Sequence, residues 1–243
     1  MGAMALSLFW PTSKTLTGTN MLLTNRLFER EPPNREAKSI YIFCEGVKRE
    51  LQYFRYFTEM DSRINIEVHQ LDPHDNNSPL GLLRIARQCI IPQKGKPPPK
   101  YHYQQNDEVW IILDLDLDKY ASRSPQIDEV KAFCTQQQGW HLALSNPCFE
   151  VWLHYHLSEK RQEFEGDERC SKWKEFVNSM INGGFDSRKH PIYIANASTN
   201  ARTNFEVEKN IPRKDCTEIF RLGESMLTIL GEKITKVLKE LET

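Results

Sequence analysis

Long apolar runs are missing from this chain, and so is any strong excess of charge of one sign. No stretch of its 243 residues approaches the roughly 18 uninterrupted apolar residues of a membrane-spanning helix, so the sequence predicts no transmembrane segment. Lys and Arg together number 32 and Asp and Glu 33, which gives a net charge of -1. A protein that coats nucleic acid through bulk positive charge is therefore excluded, whereas a local basic patch is not.

Paired cysteines and a phosphate-binding loop are lacking as well. The six cysteines are scattered, with no C-x-x-C pair and no histidine at finger spacing, which excludes a zinc finger. Such thiols, together with a start that lacks the features of a secretory signal, predict a reduced cytoplasmic protein. The chain has no G-x-x-x-x-G-K-[ST] sequence, so it is not expected to be an ATPase by itself.

Short apolar runs alternate with helical periodicity in the first two thirds of the chain. A continuous β-branched and aromatic run predicts a strand at 39–44, an alternating pattern predicts a half-buried strand at 64–71, and further strands are predicted at 109–113 and 140–144, with helices between them. Three dipeptides are interpreted as helix starts, since Ser or Asn can cap a helix and proline is tolerated in its first turn: Ser78-Pro79, Ser124-Pro125 and Asn146-Pro147. We predict an α/β fold, layered around a mainly parallel central sheet.

Composition divides the chain into three regions. Residues 1–37 end in a polar stretch with two prolines and are interpreted as an extension whose first residues are a cloning remnant. Residues 38–160 are predicted to form the catalytic domain, and 161–243 a mainly helical C-terminal region, of which 191–203 are ambiguous. An apolar seam at steps of three and four must pack on this domain or on a partner: Leu227, Leu230, Ile234, Val237 and Leu241.

Acidic residues stand where predicted strands end. Glu45 follows the first strand, Asp114 and Asp116 follow the third, and Glu150 comes shortly after the fourth. Because the carboxyl ends of parallel strands share one edge of a sheet, we expect these acids to converge. Any one of them could merely offset a helix dipole. A cluster, however, is costly unless a cation neutralises it, and oxygen ligands indicate Mg2+ or Mn2+.

Three motifs contain these acids. Residues 44–54 read CEGVKRELQYF, Asp114-x-Asp116 follows, and residues 145–153 read SNPCFEVWL, with His156 beyond them. Together they resemble the RloB family of bacterial and phage-defence proteins, a branch of the Toprim fold. The resemblance covers about 39–157, is specific in the first and third motifs, and is faint after 160. The residue after Asp116 is often acidic in that family, but here it is Leu117, and Asp118 follows one place later.

The resemblance implies a fold and a set of partners. It implies a Toprim-like sheet in which Glu45, Asp114 and Asp116 bind divalent metal. It also implies a partner ATPase encoded alongside and a role in abortive infection, an anti-phage defence.

Metal-assisted hydrolysis of a phosphodiester is the reaction that these residues predict. Glu45 and Asp114 are the expected metal ligands, and Asp116 is expected to bind directly or through water. Glu150 would complete a second site or hold a metal-bound water. His156 lies six residues beyond Glu150 and is interpreted as a packing residue rather than a ligand.

Basic residues are candidate contacts to nucleic acid. Lys48, with Arg49 beside it, is expected near a phosphate, the alternative being a solvated surface lysine. The segment 92–105 interleaves lysines with aromatic residues, which suits single-stranded nucleic acid as well as a proline-stiffened surface loop: Lys94, Lys96 and Lys100. The sequence does not choose between DNA, RNA and tRNA as the substrate, or between a monomer and a homo-oligomer.

Two other functions compete with a nuclease. Residues 111–117 resemble the first motif of haloacid dehalogenase-type phosphatases, but that motif usually opens its domain, and no Thr or Val follows the second aspartate here. The other competitor is a non-catalytic Toprim-like subunit that keeps the acids for structure or assembly and regulates an ATPase. The sequence leaves nuclease and adaptor both open.

Overall fold

The computed structural model describes residues 27–164 and 170–242. The strands are β1 Lys38–Cys44, β2 Ile64–His69, β3 Glu108–Asp114, β4 Trp140–Asn146, β5 Val207–Glu208, β6 Ile211–Pro212 and β7 Cys216–Thr217. The helices are α1 Arg49–Arg55, α2 Pro79–Ile90, α3 Tyr120–Gln136, α4 Glu150–His154, α5 Cys170–Ser179, α6 Ile194–Thr203 and α7 Ile219–Glu242. Most of the predicted extension, residues 1–26, lies outside the described residues, as does 165–169 of the C-terminal region.

The central sheet has the strand order β2-β1-β3-β4-β7. Its first four strands pair in parallel, while β7 pairs antiparallel to β4. The prediction of an α/β fold with a mainly parallel sheet is therefore confirmed, and the order is compatible with a Toprim-like fold. Cys44 of β1 is in register with Ile112, and Asp114 of β3 with Ser145 of β4. These registers bring the carboxyl ends of the three strands to one edge of the sheet.

Two hydrophobic cores lie on the two faces of the sheet. Alternate side chains of β1 point to opposite faces, so Ile40 and Ile42 join one core while Tyr41 and Phe43 join the other. The first core contains the buried residues of α1, α4, α5, α6 and α7. The second contains those of α2 and α3. Strand β1, covered on both faces, is the continuous apolar run expected of a central parallel strand.

The C-terminal region packs on the same sheet. Leu230, Ile234 and Val237 of α7 are buried in the first core, whereas Leu241 is 44% exposed. Most of the apolar seam thus packs on the chain's own fold. Strand β7 also belongs to this region, so the sheet includes residues from both sides of the predicted boundary at 160; the division into domains stays a prediction.

Only one of the three predicted helix starts is correct. The Ser78 side chain accepts a hydrogen bond from the Gly81 amide, and Pro79 is the first residue of α2. Ser124-Pro125, by contrast, lies inside α3, which begins at Tyr120. Ser124 therefore does not cap the beginning of a helix. Proline lacks an amide proton, so Pro125 donates no hydrogen bond to the preceding turn, while Ile127 and Val130 of the same helix are buried.

Asn146-Pro147 does not start a helix either. Asn146 is the last residue of β4, its peptide bond to Pro147 is cis, and α4 begins three residues later at Glu150. The Asn146 side chain donates to the Pro212 carbonyl at 2.8 Å instead of capping α4. None of the helices within 27–164 and 170–242 is long and apolar enough to cross a membrane.

Candidate metal centre

The ends of β1 and β3 bring Glu45 and Asp114 together. Glu45 directly follows β1, and Asp114 is the last residue of the neighbouring strand β3. Arg123 of α3 links them, because its two Nη atoms donate to the two carboxylate oxygens of Glu45 at 2.7 and 2.5 Å. Arg123 Nη2 also donates to the main-chain oxygen of Asp114 at 3.2 Å. The two expected metal ligands therefore lie around one guanidinium group.

Glu50 turns back towards the end of β1. Its carboxylate lies so close to Gly46 that a Cβ atom there would be 1.7 Å from Glu50 Oε2, so this position has to be glycine or Glu50 has to move. Burial, and after it the negative charges of Glu150 and Glu45, raise the pKa of Glu50 to about 6. Glu50 therefore lies among the acids that the sequence singled out.

The same charges affect the pKa of Asp114. Burial is the main cause that raises its pKa well above the usual range, and the charges of Glu50, Glu45 and Glu150 follow. These mutual effects define one group of four carboxylates, named the acid cluster below: Glu45, Glu50, Asp114 and Glu150. It is built from the ends of β1 and β3 and the beginnings of α1 and α4.

Glu150 is the most buried member of the acid cluster. It is the first residue of α4 and is 3% exposed, while Phe149 and Trp152 beside it belong to the first core. Arg49 Nη1 lies 3.3 Å from Glu150 Oε1. Arg49, expected to contact nucleic acid, is thus within reach of the cluster and offsets part of its charge.

Asp116 lies at the rim of this site. Its backbone is in the left-handed region with φ of 43°, its amide donates to the Pro147 carbonyl, and its carboxylate pairs with Lys119 Nζ at 2.9 Å. The hydrogen bond that Arg123 donates to Glu45 is the main cause that raises the pKa of the Arg123 guanidinium, and the charge of Asp116 adds to it. Asp118 is exposed in the following 3-10 turn, and Lys48 is exposed at the beginning of α1.

The aromatic residues of the lysine-containing loop are engaged within the fold. The Tyr101 hydroxyl lies 2.9 Å from His69 Nδ1, and Lys100 Nζ lies 5.1 Å from the centre of the Tyr101 ring. The Tyr103 hydroxyl donates to the Asp107 carbonyl, just before β3 and hence at the opposite end of the sheet from the acid cluster. Lys94 and Lys96 are exposed. The structure therefore does not bring Tyr103 to the acids.

His156 is part of a satisfied buried network. Its Nε2 lies 2.9 Å from the Tyr53 hydroxyl and its Nδ1 lies 3.1 Å from the Trp152 carbonyl. A neutral ring that donates from Nδ1 and accepts at Nε2 satisfies both contacts. Burial lowers the pKa of His156 to about 3, so the ring is neutral at physiological pH. This geometry agrees with the expected packing role.

Sequence reasoning missed three residues of this site. Glu50 was present in the first motif, but its approach to Gly46 depends on the path of the chain after β1. Arg123 lies 78 positions from Glu45, and no local pattern connects them. Lys174 of α5 lowers the pKa of Glu50 by its positive charge, which brings the C-terminal region to the site.

The acid cluster fits a divalent cation in its chemistry but is held by basic side chains. Within the described residues, no group of three or more His, Cys, Asp or Glu is arranged to hold a metal ion. Arg123 and Arg49 instead pair with Glu45 and Glu150. The cluster nevertheless consists of oxygen donors. Burial first, and the charges of the neighbouring acids second, raise the pKa of Glu50 and Asp114, and a bound cation would relieve the repulsion between those charges.

Comparison with known proteins gives one match. A family model described as RloB-like protein matches residues 40–226, which is most of the chain and includes every member of the acid cluster. No curated protein and no solved structure matches.

Proposed function

We propose, since the chain belongs to the RloB-like family, that it is a nuclease that hydrolyses phosphodiester bonds with Mg2+ or Mn2+. The observation that carries the proposal is the acid cluster, in which four carboxylates share one end of the sheet although their charges repel. Burial is the main cause that raises the pKa of Asp114 and of Glu50, and the negative charges of the neighbouring acids add to it. Stability alone would favour fewer charges at this place, whereas a divalent cation requires them.

Each acid has a role in this proposal. Glu45 and Asp114 would hold the metal, with Asp116 and Glu150 as further direct or water-mediated ligands. A bound cation would stabilise the charge that grows on the attacking and leaving oxygens. Glu50 is the candidate proton acceptor, because a carboxylate whose pKa is about 6 can take a proton from water near neutral pH.

Basic residues around the cluster would bind the substrate. Arg49 and Lys119 already lie beside Glu150 and Asp116, Lys174 lies near Glu50, and Lys48 is exposed at the beginning of α1. Contacts to phosphate from several elements would position a strand without reading its sequence. Lys94, Lys96 and Lys100 would extend this contact only to a substrate that also reaches the loop 92–105.

The family resemblance supports the rest of the proposal. A partner ATPase would control the nuclease in the bacterial cytoplasm, where cleavage of nucleic acid would stop the growth of a phage-infected cell. Co-purification with the product of the neighbouring ATPase gene tests this association directly.

A second candidate is a non-catalytic subunit that regulates such an ATPase. It is favoured by the pairing of Glu45, Glu150 and Asp116 with basic side chains, which neutralises much of the acidic charge without a metal. In that case the acids would be ion-pair partners that fix α1, α3 and α4 on the sheet.

A cleavage assay distinguishes the two candidates. Labelled single-stranded RNA, tRNA, and single- and double-stranded DNA are incubated with the protein and Mn2+, Mg2+ or EDTA, with and without the ATPase. Cleavage that requires the metal and is lost in Asp114→Asn supports the nuclease. If no substrate is cleaved under any condition, and Asp114→Asn is indistinguishable from the wild type, the result supports the regulatory subunit instead.

A further inference from the structure

Arg123 is the most deeply buried basic group that contacts the acid cluster. Its side chain is 10% exposed, and both ends of its guanidinium fork are occupied by the Glu45 carboxylate. Its third donor, the Nε–H, is buried and has no hydrogen-bond partner among the residues that the structure describes. A buried donor without a partner is unfavourable, so this packing position is not explained by hydrogen bonding alone.

The contacts of Arg123 are those of a cation held by ligands. Arg123 donates hydrogen bonds to both carboxylate oxygens of Glu45 and to the main-chain oxygen of Asp114. A metal ion that used Glu45 would need at least one of the two oxygens that Arg123 now occupies. Two cations cannot share these oxygens without repulsion in a partly buried site.

We propose that Arg123 is the counter-cation of the metal-free site and competes with the divalent cation for Glu45. Metal binding releases the guanidinium fork from the carboxylate, and removal of the metal restores it. This inference rests on the proposed metal site but not on the cleavage of nucleic acid. It makes Arg123 a positioning residue that sets the metal concentration at which the site fills.

The first experiment measures Mn2+ affinity by calorimetry in wild-type protein and in Arg123→Gln. Loss of the competing positive charge should tighten Mn2+ binding by about tenfold, while the melting temperature in EDTA should fall because Glu45 loses its partner. Arg63→Gln is the matched control. Arg63 also donates through two nitrogen atoms to one carboxylate, that of Asp61, which lies before β2 and away from the acid cluster.

Arg63→Gln should leave Mn2+ affinity unchanged whatever it does to stability. If Arg123→Gln binds Mn2+ with unchanged or weaker affinity, Arg123 is a structural ion-pair partner and the inference is wrong, although the metal site stands. If neither protein binds Mn2+, the proposed metal site and the inference about Arg123 are both wrong. If Mn2+ binds as expected but no substrate is cleaved, only the proposed nuclease activity is wrong.

A second measurement uses the wild-type protein, in case Arg123→Gln does not fold. The arginine Nε–H signals are followed by nitrogen-proton NMR during titration with diamagnetic Mg2+, and the Arg123 signal is identified by its loss in Arg123→Lys. Release of the fork should move this signal and speed its exchange with water. An Arg123 signal that stays unchanged while Mg2+ saturates the protein would contradict the competition.

Discussion

The acid cluster and the network around His156 lie near opposite ends of the short segment 150–156, and they treat buried polar groups in opposite ways. In the network, each ring nitrogen of His156 has a hydrogen-bond partner, so burying the neutral ring carries only a small free-energy penalty. In the acid cluster, burial is the main cause that raises the pKa of Asp114, and the like charges of the other three acids add to it. The comparison teaches that burial alone does not indicate a functional site; unrelieved charge is the better indicator.

The largest expected effect is on catalysis. Asp114→Asn should reduce metal-dependent cleavage by about a thousandfold or more, because losing several kcal/mol of transition-state stabilisation has that consequence. Its stability in EDTA should rise by about 1 kcal/mol, since one repelling charge is removed. Rates with labelled substrate and urea unfolding in EDTA measure both. Wild-type cleavage in Asp114→Asn would remove this residue from the reaction.

Glu45→Gln should also abolish cleavage but should change stability in the other direction. It leaves the buried Arg123 without its carboxylate partner, at a cost of about 2 kcal/mol. Equal stabilities of Glu45→Gln and Asp114→Asn in EDTA would show that the Arg123 pair contributes nothing to the fold.

The His156 network should respond in stability and not in catalysis. His156→Phe removes the hydrogen bonds to the Tyr53 hydroxyl and to the Trp152 carbonyl, so the free energy of unfolding should fall by about 2 kcal/mol at pH 7.5. Cleavage per folded molecule should be unchanged. Tyr53→Phe removes only the hydroxyl and should cost less.

The same variant tests the sign of a pH effect. The folded pKa of His156 is lowered to about 3, so its stabilising contribution is present above the unfolded pKa of about 6.5 and is lost as the pH falls below it. The wild type should lose about 2 kcal/mol from this group by pH 5. Urea unfolding at both pH values should show a smaller loss in His156→Phe; an equal loss would contradict the assigned neutral ring.

Glu50 should show the opposite pH dependence. Its folded pKa is raised to about 6, so the ionised carboxylate is unfavourable in the folded state and protonation relieves it as the pH falls. Glu50→Gln should be more stable than the wild type by about 1 to 2 kcal/mol at pH 8, with the difference vanishing below pH 5. Glu175→Gln, on the exposed side of α5, is the control and should show no such trend.

The smallest effect is expected on the stability of Glu150→Gln. Arg49 is partly exposed and its contact is 3.3 Å, so the change should cost at most about 1 kcal/mol. If Glu150 is a metal ligand, Mn2+ affinity should nevertheless fall by about tenfold. Unchanged Mn2+ affinity and unchanged turnover would remove Glu150 from the site and leave the other acids.

The strands of the sheet could be predicted because each is specified by a short, local stretch of sequence. Each buried strand is a continuous apolar run, so β1, β3 and β4 could be read directly, and with them the strand ends that carry Glu45 and Asp114. Ser78 was also correct, because its cap is made three residues away. These features were predictable because each depends on residues only a few positions apart, although Ser124-Pro125 shows that a local pattern can also mislead.

Long-range contacts could not be predicted in this way. Asn146 resembles a helix cap in sequence, but its side chain bonds to Pro212, 66 positions later. Arg123 resembles a surface residue of α3 until Glu45 is brought beside it. Glu50 could not be distinguished from a solvated glutamate, because the approach to Gly46 depends on the turn between β1 and α1. The partners of such residues are fixed by the tertiary fold.

The short strand β7 has a consequence for how the chain can be divided. It covers the outer edge of β4, where Ser145 bonds to Thr217 and the Leu144 amide donates to the Glu218 carboxylate. A fragment that ended at 160 would expose this edge as a template for intermolecular strand pairing. Such a fragment should aggregate, and a soluble recombinant version of the sheet needs the segment through Glu218 to protect its open side.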